Sequence, residues 1–211
     1  MNALRIAPAS LRYKAMIGVG GIGSGTVFAL SSNETLGREE SRGGHFLDRR
    51  DYCKLHIISH YVCTLLGPGF ATIPLGKVGD DEVGRRLLAE MASAGLDLRY
   101  VEQCPGVPTL FSFCFVYPDG TGGNLTTENS ACATVDGAFV ARAKGEFSRF
   151  QGCGIALAAP EVPLEARAAV LRLGSAHRFF RVASFTSSEV PSVIESDLLR
   201  EVDLLALNRD E

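Results

Sequence analysis

Apolar and polar positions fall into short blocks along the chain, and the blocks predict strands alternating with helices. Ala15 to Val19 (AMIGV) is a brief apolar run with the length of a buried strand. The glycine-rich GGIGSG of residues 20–25 follows it, and Thr26 to Leu30 is apolar again. Ser31 to Arg50 is polar, charged and rich in Gly and Arg, which predicts a long loop. A helix is expected from about Asp51 to Leu66, with Asp51 favourable near its N-terminus and Gly67-Pro68 ending it. Phe70 to Leu75 (FATIPL) predicts a strand. Asp80-Asp81 is placed to cap a helix from Glu82 to Ala94 that Gly95 stops.

Farther on, Thr109 to Tyr117 is β-rich, Pro118-Asp119-Gly120 supplies a turn, and Asn124 to Glu128 returns. This hairpin, within about residues 104–130, differs from the strand–helix units around it. Helices are expected at 135–147, 164–173 and 192–200, and strands at 153–158, 179–184 and 202–207. Strands alternating with helices imply a mainly parallel sheet covered on both faces, an α/β/α arrangement of three layers. No internal repeat is visible.

Composition narrows the class. The 211 residues are enough for one α/β domain with a real core. With 46% hydrophobic and 21% charged residues the chain is not largely disordered. The net charge of −3, with no acidic or basic block, favours neither nucleic acid nor an anionic membrane as partner. The longest apolar stretch, Tyr61 to Gly76, is broken by Gly67, Pro68, Gly69 and Pro74, whereas a membrane span needs roughly 20 unbroken apolar residues. The N-terminal MNALRIAPASLRYKA lacks the apolar core of a signal peptide. Six cysteines without a CxxC pair suit reduced thiols. Together these features lead to the expectation of a soluble cytoplasmic protein.

The decisive motif is Leu75-Gly76-Lys77-Val78-Gly79-Asp80-Asp81-Glu82-Val83-Gly84, a strand end, a turn and a helix start, followed by the amphipathic RRLLAEMASAG. Gly79 permits the turn, the two aspartates suit a positive helix N-terminus, and Gly84 allows close packing. This order resembles the strand, G-x-x-G-D-D-x-x-G and glycine-ended helix of ribokinase-like (PfkB-type) carbohydrate kinases. Three further segments are similar to that family. The hairpin from Thr109 to Glu128 sits where these kinases place strands of a lid over the sugar. Glu161-Val162-Pro163-Leu164-Glu165 resembles E-x-P-L-E, whose first Glu reaches the active site. Asn208-Arg209-Asp210-Glu211 resembles N-x-x-E, whose Glu helps organise magnesium and phosphate.

The resemblance implies a ribokinase fold with a small β-lid, incomplete at its C-terminus. It also implies transfer of the ATP γ-phosphate to a hydroxyl of a sugar or nucleoside-like compound, with ATP and Mg2+ as cofactors and the lid as a possible homodimer contact. Glu161 would stand near the transferred phosphate, Asn208 and Glu211 near nucleotide, and Glu211 at the metal. There are departures. The first strand of such kinases leads into an Asp that holds sugar hydroxyls; here Gly25 stands at that place. The Gly-Gly-x-x-x-Asn that opens the next helix is matched by Tyr52 to Ile57, where only Lys54 resembles a family residue. In the Arg-rich segment 31–51, Asp48 could hydrogen-bond paired hydroxyls, and Arg42, beside Gly43-Gly44, could hold a phosphate or carboxylate bidentately. These two and Lys54 are the substrate candidates, and the arginines tilt the expected ligand toward an anionic or nucleoside-like one. The family's catalytic Asp belongs to a G-A-G-D motif, and no GAGD occurs in the sequence. The 211 residues are therefore expected to bind a ligand without transferring phosphate, either as a broken kinase or as a degenerate kinase-like binding protein.

Two readings from other classes compete. Gly18-Val19-Gly20-Gly21-Ile22-Gly23 fits the G-x-G-x-x-G of dinucleotide-binding enzymes, which requires a helix directly afterwards. Cys53, His56, His60 and Cys63 share one helix face and are of zinc-ligand type, although the outer two lie about 15 Å apart along a straight helix.

Overall fold

The computed structural model describes residues 8–207. In chain order it contains β1 (Ala15–Val19), β2 (Gly23–Leu30), β3 (Gly44–Tyr52), α1 (Lys54–Leu66), β4 (Ala71–Gly79), α2 (Glu82–Ser93), β5 (Val101–Cys104), β6 (Leu110–Val116) and β7 (Gly122–Thr126). There follow α3 (Gly137–Ala141), α4 (Lys144–Arg149), β8 (Gly154–Ala158), α5 (Leu164–Ala176), β9 (Phe180–Ala183), α6 (Val190–Glu195) and β10 (Leu204–Leu205).

A six-stranded parallel sheet in the order β10-β9-β8-β1-β4-β5 forms the centre. All five residues of β1 are buried, as a central strand covered on both faces demands. Its side chains divide by parity. Ile17 and Val19 join a core with Phe139, Phe147, Leu171 and Phe179 under α3, α4 and α5. Met16 points the other way, to Leu55, Leu87 and Met91 under α1 and α2. These are the three layers anticipated from the strand–helix alternation.

A second, four-stranded sheet in the order β3-β2-β6-β7 is the lid. The expected hairpin β6–β7 is one half of it; the other half is β2, from the glycine-rich and apolar run up to Leu30, and β3, most of which falls in the segment expected to be a loop. Residues 44–52 form β3, paired antiparallel to β2 from Leu30↔Gly44 to Ser24↔Tyr52. Their sequence, GHFLDRRDY, shows no apolar alternation because this edge strand buries neither face. The helix expected from Asp51 therefore starts only at Lys54, and Asp51 belongs to the lid. Elsewhere the helix expected over 135–147 is two short ones, the first capped by Asp136 accepting from Phe139 N. The helix expected over 192–200 ends at Glu195, where Asp197 turns left-handed. β5 was not anticipated.

No described helix is long and apolar enough to cross a membrane. All six cysteines are free. The sulfur–imidazole stripe is split: Cys53 precedes α1 and packs in one core, Cys63 packs in the other and donates to Ala94 O, and His56 and His60 stack on each other. Among the described residues no group of three or more His, Cys, Asp or Glu is placed to hold a metal. The run Gly18–Gly23 leads from β1 into lid strand β2, and the helix a dinucleotide fingerprint needs does not follow.

Candidate functional site

The site is built where β1, β8 and β9 end and the lid begins. Two close crossings of the backbone fix it. The chain leaves β1 through Gly20 and Gly21; a Cβ on Gly21 would lie 2.3 Å from the Glu161 carboxylate, so only glycine lets that side chain through. Glu161 itself, just after β8, has φ +75°, a left-handed conformation that costs a residue with a Cβ about 1–3 kcal/mol. What the strain achieves is placement. The Glu161 carboxylate is carried across to the start of α1, where Oε2 accepts from Lys54 N at 2.9 Å. Helix α1 lacks a side-chain cap of its own, and Glu161 supplies one from a distant part of the chain. Burial raises the Glu161 pKa; the bond and charge of Lys54 oppose this without overcoming it. Beneath it the thiols of Cys53 and Cys132 are pushed up by burial, Cys132 to about 12, so both stay protonated and neither is a nucleophile.

The lid has two chemically different faces. In β6 (LFSFCFV) the phenylalanines at 111, 113 and 115 alternate with Ser112 and Cys114. Ser112 pairs with Thr126 and Cys114 with Asn124 across the β6–β7 ladder. Asn124 and Thr126 line the cleft together with Glu161, so this polar face looks toward the core. The opposite face carries Phe28, Phe46 and Phe113 in mutual aromatic contact, with Phe46 63% and Leu125 64% exposed.

Between the polar face and the core lie two adjoining hollows of 520 and 530 Å³ that share Asn124, Thr126, Glu161 and Thr186. Lys54 lines one of them and Glu128 and Glu189 the other. Their far wall, Ser184 to Glu189, is held from below by Arg167. This fully buried side chain contacts the Glu189 carboxylate, donates to Ser184 O at 3.2 Å and lies over the Phe185 ring. A separate hollow of 400 Å³ beside α1, lined by Tyr52, His56, Ile57, His60, Tyr61 and Glu90, shares no residue with this cleft.

The turn that dominated the sequence stands beside the cleft and organises it. Asp81 caps α2 by accepting from Gly84 N at 2.7 Å, and also takes Thr109 N and Thr109 Oγ1 at 2.7 Å each. Thr109 Oγ1 in turn accepts from Gly79 N at 2.9 Å. The motif thereby ties β4 and α2 to the residue that starts the lid hairpin. Burial works against the Asp81 carboxylate, yet the bonds from Thr109 and Gly84 outweigh it and its pKa is lowered.

Of the residues proposed from sequence, Lys54 and Glu161 meet in the cleft. Arg42 and Asp48 do not line it. Arg42 pairs with Glu34 at 3.2 Å and Glu40 at 2.9 Å within the loop before β3. Asp48 is exposed on β3, in the stretch where the β2–β3 register shifts. Asn208 and Glu211 lie outside the described residues; Ala206 and Leu207, just before them, line the cleft. Sequence reasoning missed Asp51 as a separate candidate. It sits on the polar face of the lid, and its Oδ2 accepts from Ser112 Oγ at 2.7 Å and Cys114 Sγ at 3.2 Å. The available signal was Gly25 facing Asp51, invisible until β3 is recognised as a strand.

Residues 64–211 match the family model described as pfkB family carbohydrate kinase. No curated protein matches the chain. Its fold is similar to that of a ribokinase from Giardia lamblia, with a TM-score of 0.73 at 15% identity, covering 93% of this chain and 58% of that one. It is also similar to a nucleoside kinase from Burkholderia thailandensis in complex with inosine (TM-score 0.65, 14% identity, 93% and 61% covered). A ribokinase from Arabidopsis thaliana complexed with ribose and ATP gives a TM-score of 0.62 at 17% identity, with 94% and 61% covered. The chain spans about three-fifths of the length of each of these proteins.

Proposed function

Because the chain belongs to the pfkB family of carbohydrate kinases, we propose that its cleft is the acceptor half of a kinase site, which binds a sugar or nucleoside-like alcohol whose hydroxyl receives the γ-phosphate of ATP. The observation that carries this reading is the polar lid face set against Glu161, a strained and half-buried carboxylate at the mouth of a parallel sheet, where α/β proteins bind their ligands. The ribose and ATP in the Arabidopsis protein and the inosine in the Burkholderia protein support the substrate class.

In this reading Lys54 and Asn124 hold the substrate's polar groups, Glu161 positions the reacting end, and the lid excludes water. ATP with magnesium would supply the phosphoryl group. No GAGD occurs in the sequence and no metal-ligating cluster is found among the described residues, so the transfer step is assigned to no described side chain. Asn208 and Glu211 remain the proposed nucleotide and magnesium contacts. The 211-residue chain is accordingly proposed to bind the alcohol without phosphorylating it. Calorimetry with ribose and inosine, run beside an ATP-coupled phosphorylation assay, tests both halves. Binding with no turnover is expected. Robust turnover would overturn the inactivity, and absence of binding to any sugar or nucleoside would overturn the acceptor role.

The exposed aromatic face of the lid supports a second copy of the chain as its partner, since a contiguous apolar patch of this kind marks an interaction surface. The free thiols fit a reducing compartment such as the cytoplasm.

A further inference from the structure

We propose that Asp51, carried on the lid opposite Gly25, is the carboxylate that orients the hydroxyls of the substrate. This rests on the acceptor reading of the cleft and specifies it. The argument begins with one row of the lid sheet. Gly25 faces Asp51 on one side and Ser112 on the other, and Ser112 faces Thr126. In that row the central residue has no side chain, and a Cβ there would lie 2.2 Å from Ser112 O. The space above Gly25 is bridged by Asp51, whose Oδ2 reaches Ser112 Oγ at 2.7 Å. The same oxygen takes Cys114 Sγ at 3.2 Å.

Both of these bonds fall on one oxygen, so Oδ2 is the anchor and Oδ1 is left to accept from elsewhere. Asp51 is half-buried, and the row ends at Thr126, a wall of the cleft. Two residues on, Cys53 is buried in the core, and next to it Lys54 N donates to Glu161 Oε2 at 2.9 Å, so Asp51 stands close to the floor of the site. A carboxylate with one oxygen fixed by two donors and the other open is a preorganised acceptor for hydroxyl hydrogens. Asp51 stands on the root of the lid, which Arg50 and Tyr52 tie to Glu90 of α2, whereas Glu161 belongs to the central sheet, so a substrate held by both would bridge the two sheets.

The test is a cycle of protein and ligand deletions. Ribose against 2-deoxyribose, and inosine against its 2′- and 3′-deoxy forms, are titrated into the wild type, Asp51→Asn and Asp51→Ala, with thermal unfolding as the folding control. The wild type is expected to prefer at least one parent ligand to its deoxy form by about tenfold, the scale of a hydrogen bond to a charged group. In Asp51→Ala that preference should shrink to within about twofold, while affinity for the deoxy form stays nearly unchanged. Asp51→Asn keeps an acceptor for Ser112 and should fold even if Asp51→Ala does not; it should lose most of the preference. A wild type that discriminates and an Asp51→Asn variant that discriminates equally would overturn the role of Asp51 and leave the acceptor reading intact. A wild type that binds without discriminating would also overturn it. A wild type that binds none of these ligands would overturn the acceptor reading itself.

Discussion

Asp81 and Glu161 both use a carboxylate to begin a helix, and they do so in opposite ways. Asp81 caps its own helix from a relaxed extended conformation, and three donors at 2.7 Å hold its charge below the usual carboxylate range. Glu161 caps a helix to which it does not belong, from a left-handed backbone, and burial raises its pKa. The first is a satisfied group that stabilises the turn it stands in. The second is strained, and burial works against its charge, an arrangement found where residues are held for chemistry rather than for stability.

The largest expected effect tests the satisfied member. Asp81→Ala removes a helix cap and strands three donors, and should destabilise by about 3 kcal/mol in urea unfolding. The contribution of the carboxylate should be present above pH 3.8 and lost as the pH falls below it, because the folded-state pKa is the lower one. A loss under 1 kcal/mol would remove the contrast with Glu161.

His56 sharpens the comparison as a third buried ionisable group. Burial, and then the neighbouring His60, lower its pKa to about 4, and its Nδ1 has no partner. Between that value and 6.5 the unfolded chain binds the proton more readily, so stability should fall as the pH drops through this window. The expected loss is up to about 3 kcal/mol, and His56→Leu should flatten the dependence of the thermal midpoint on pH.

For Glu161 the sign reverses. Its folded-state pKa lies above 4.5, so ionising it opposes folding as the pH rises through the raised value. Glu161→Gln should leave stability at pH 7 within about 1 kcal/mol of the wild type, or improve it, while ligand affinity falls by calorimetry. A large destabilisation would place Glu161 in the same class as Asp81. The smallest effect concerns the lid's outer face: Phe46→Ser should barely change monomer stability, since the ring is mostly exposed, but should shift the proposed dimer toward monomer in sedimentation.

The two carboxylates also differ in how legible they are. Asp81 lies in an unbroken stretch where strand, turn, cap and helix follow one another within ten residues, so local rules suffice. Glu161 was recognisable only through its resemblance to E-x-P-L-E, since its partner, Lys54, is 107 residues away. Asp51 was misplaced onto a helix because β3 lacks the alternation that marks a strand; its pairing with β2 is decided by the ladder and not by its own residues. Arg42 looked like an anion clamp in isolation, but acidic neighbours from the same loop occupy it.

One contact at the base of the lid has a mechanical meaning. Glu90 on α2 binds Arg50 at 3.0 Å and the Tyr52 hydroxyl at 3.2 Å, which pins the end of β3 to the body of the molecule. The next irregularity outward is the break in β2–β3 register between Thr26 and Phe28. Asp51, between the anchored Arg50 and Tyr52, is thus tied to the core on the near side of that break.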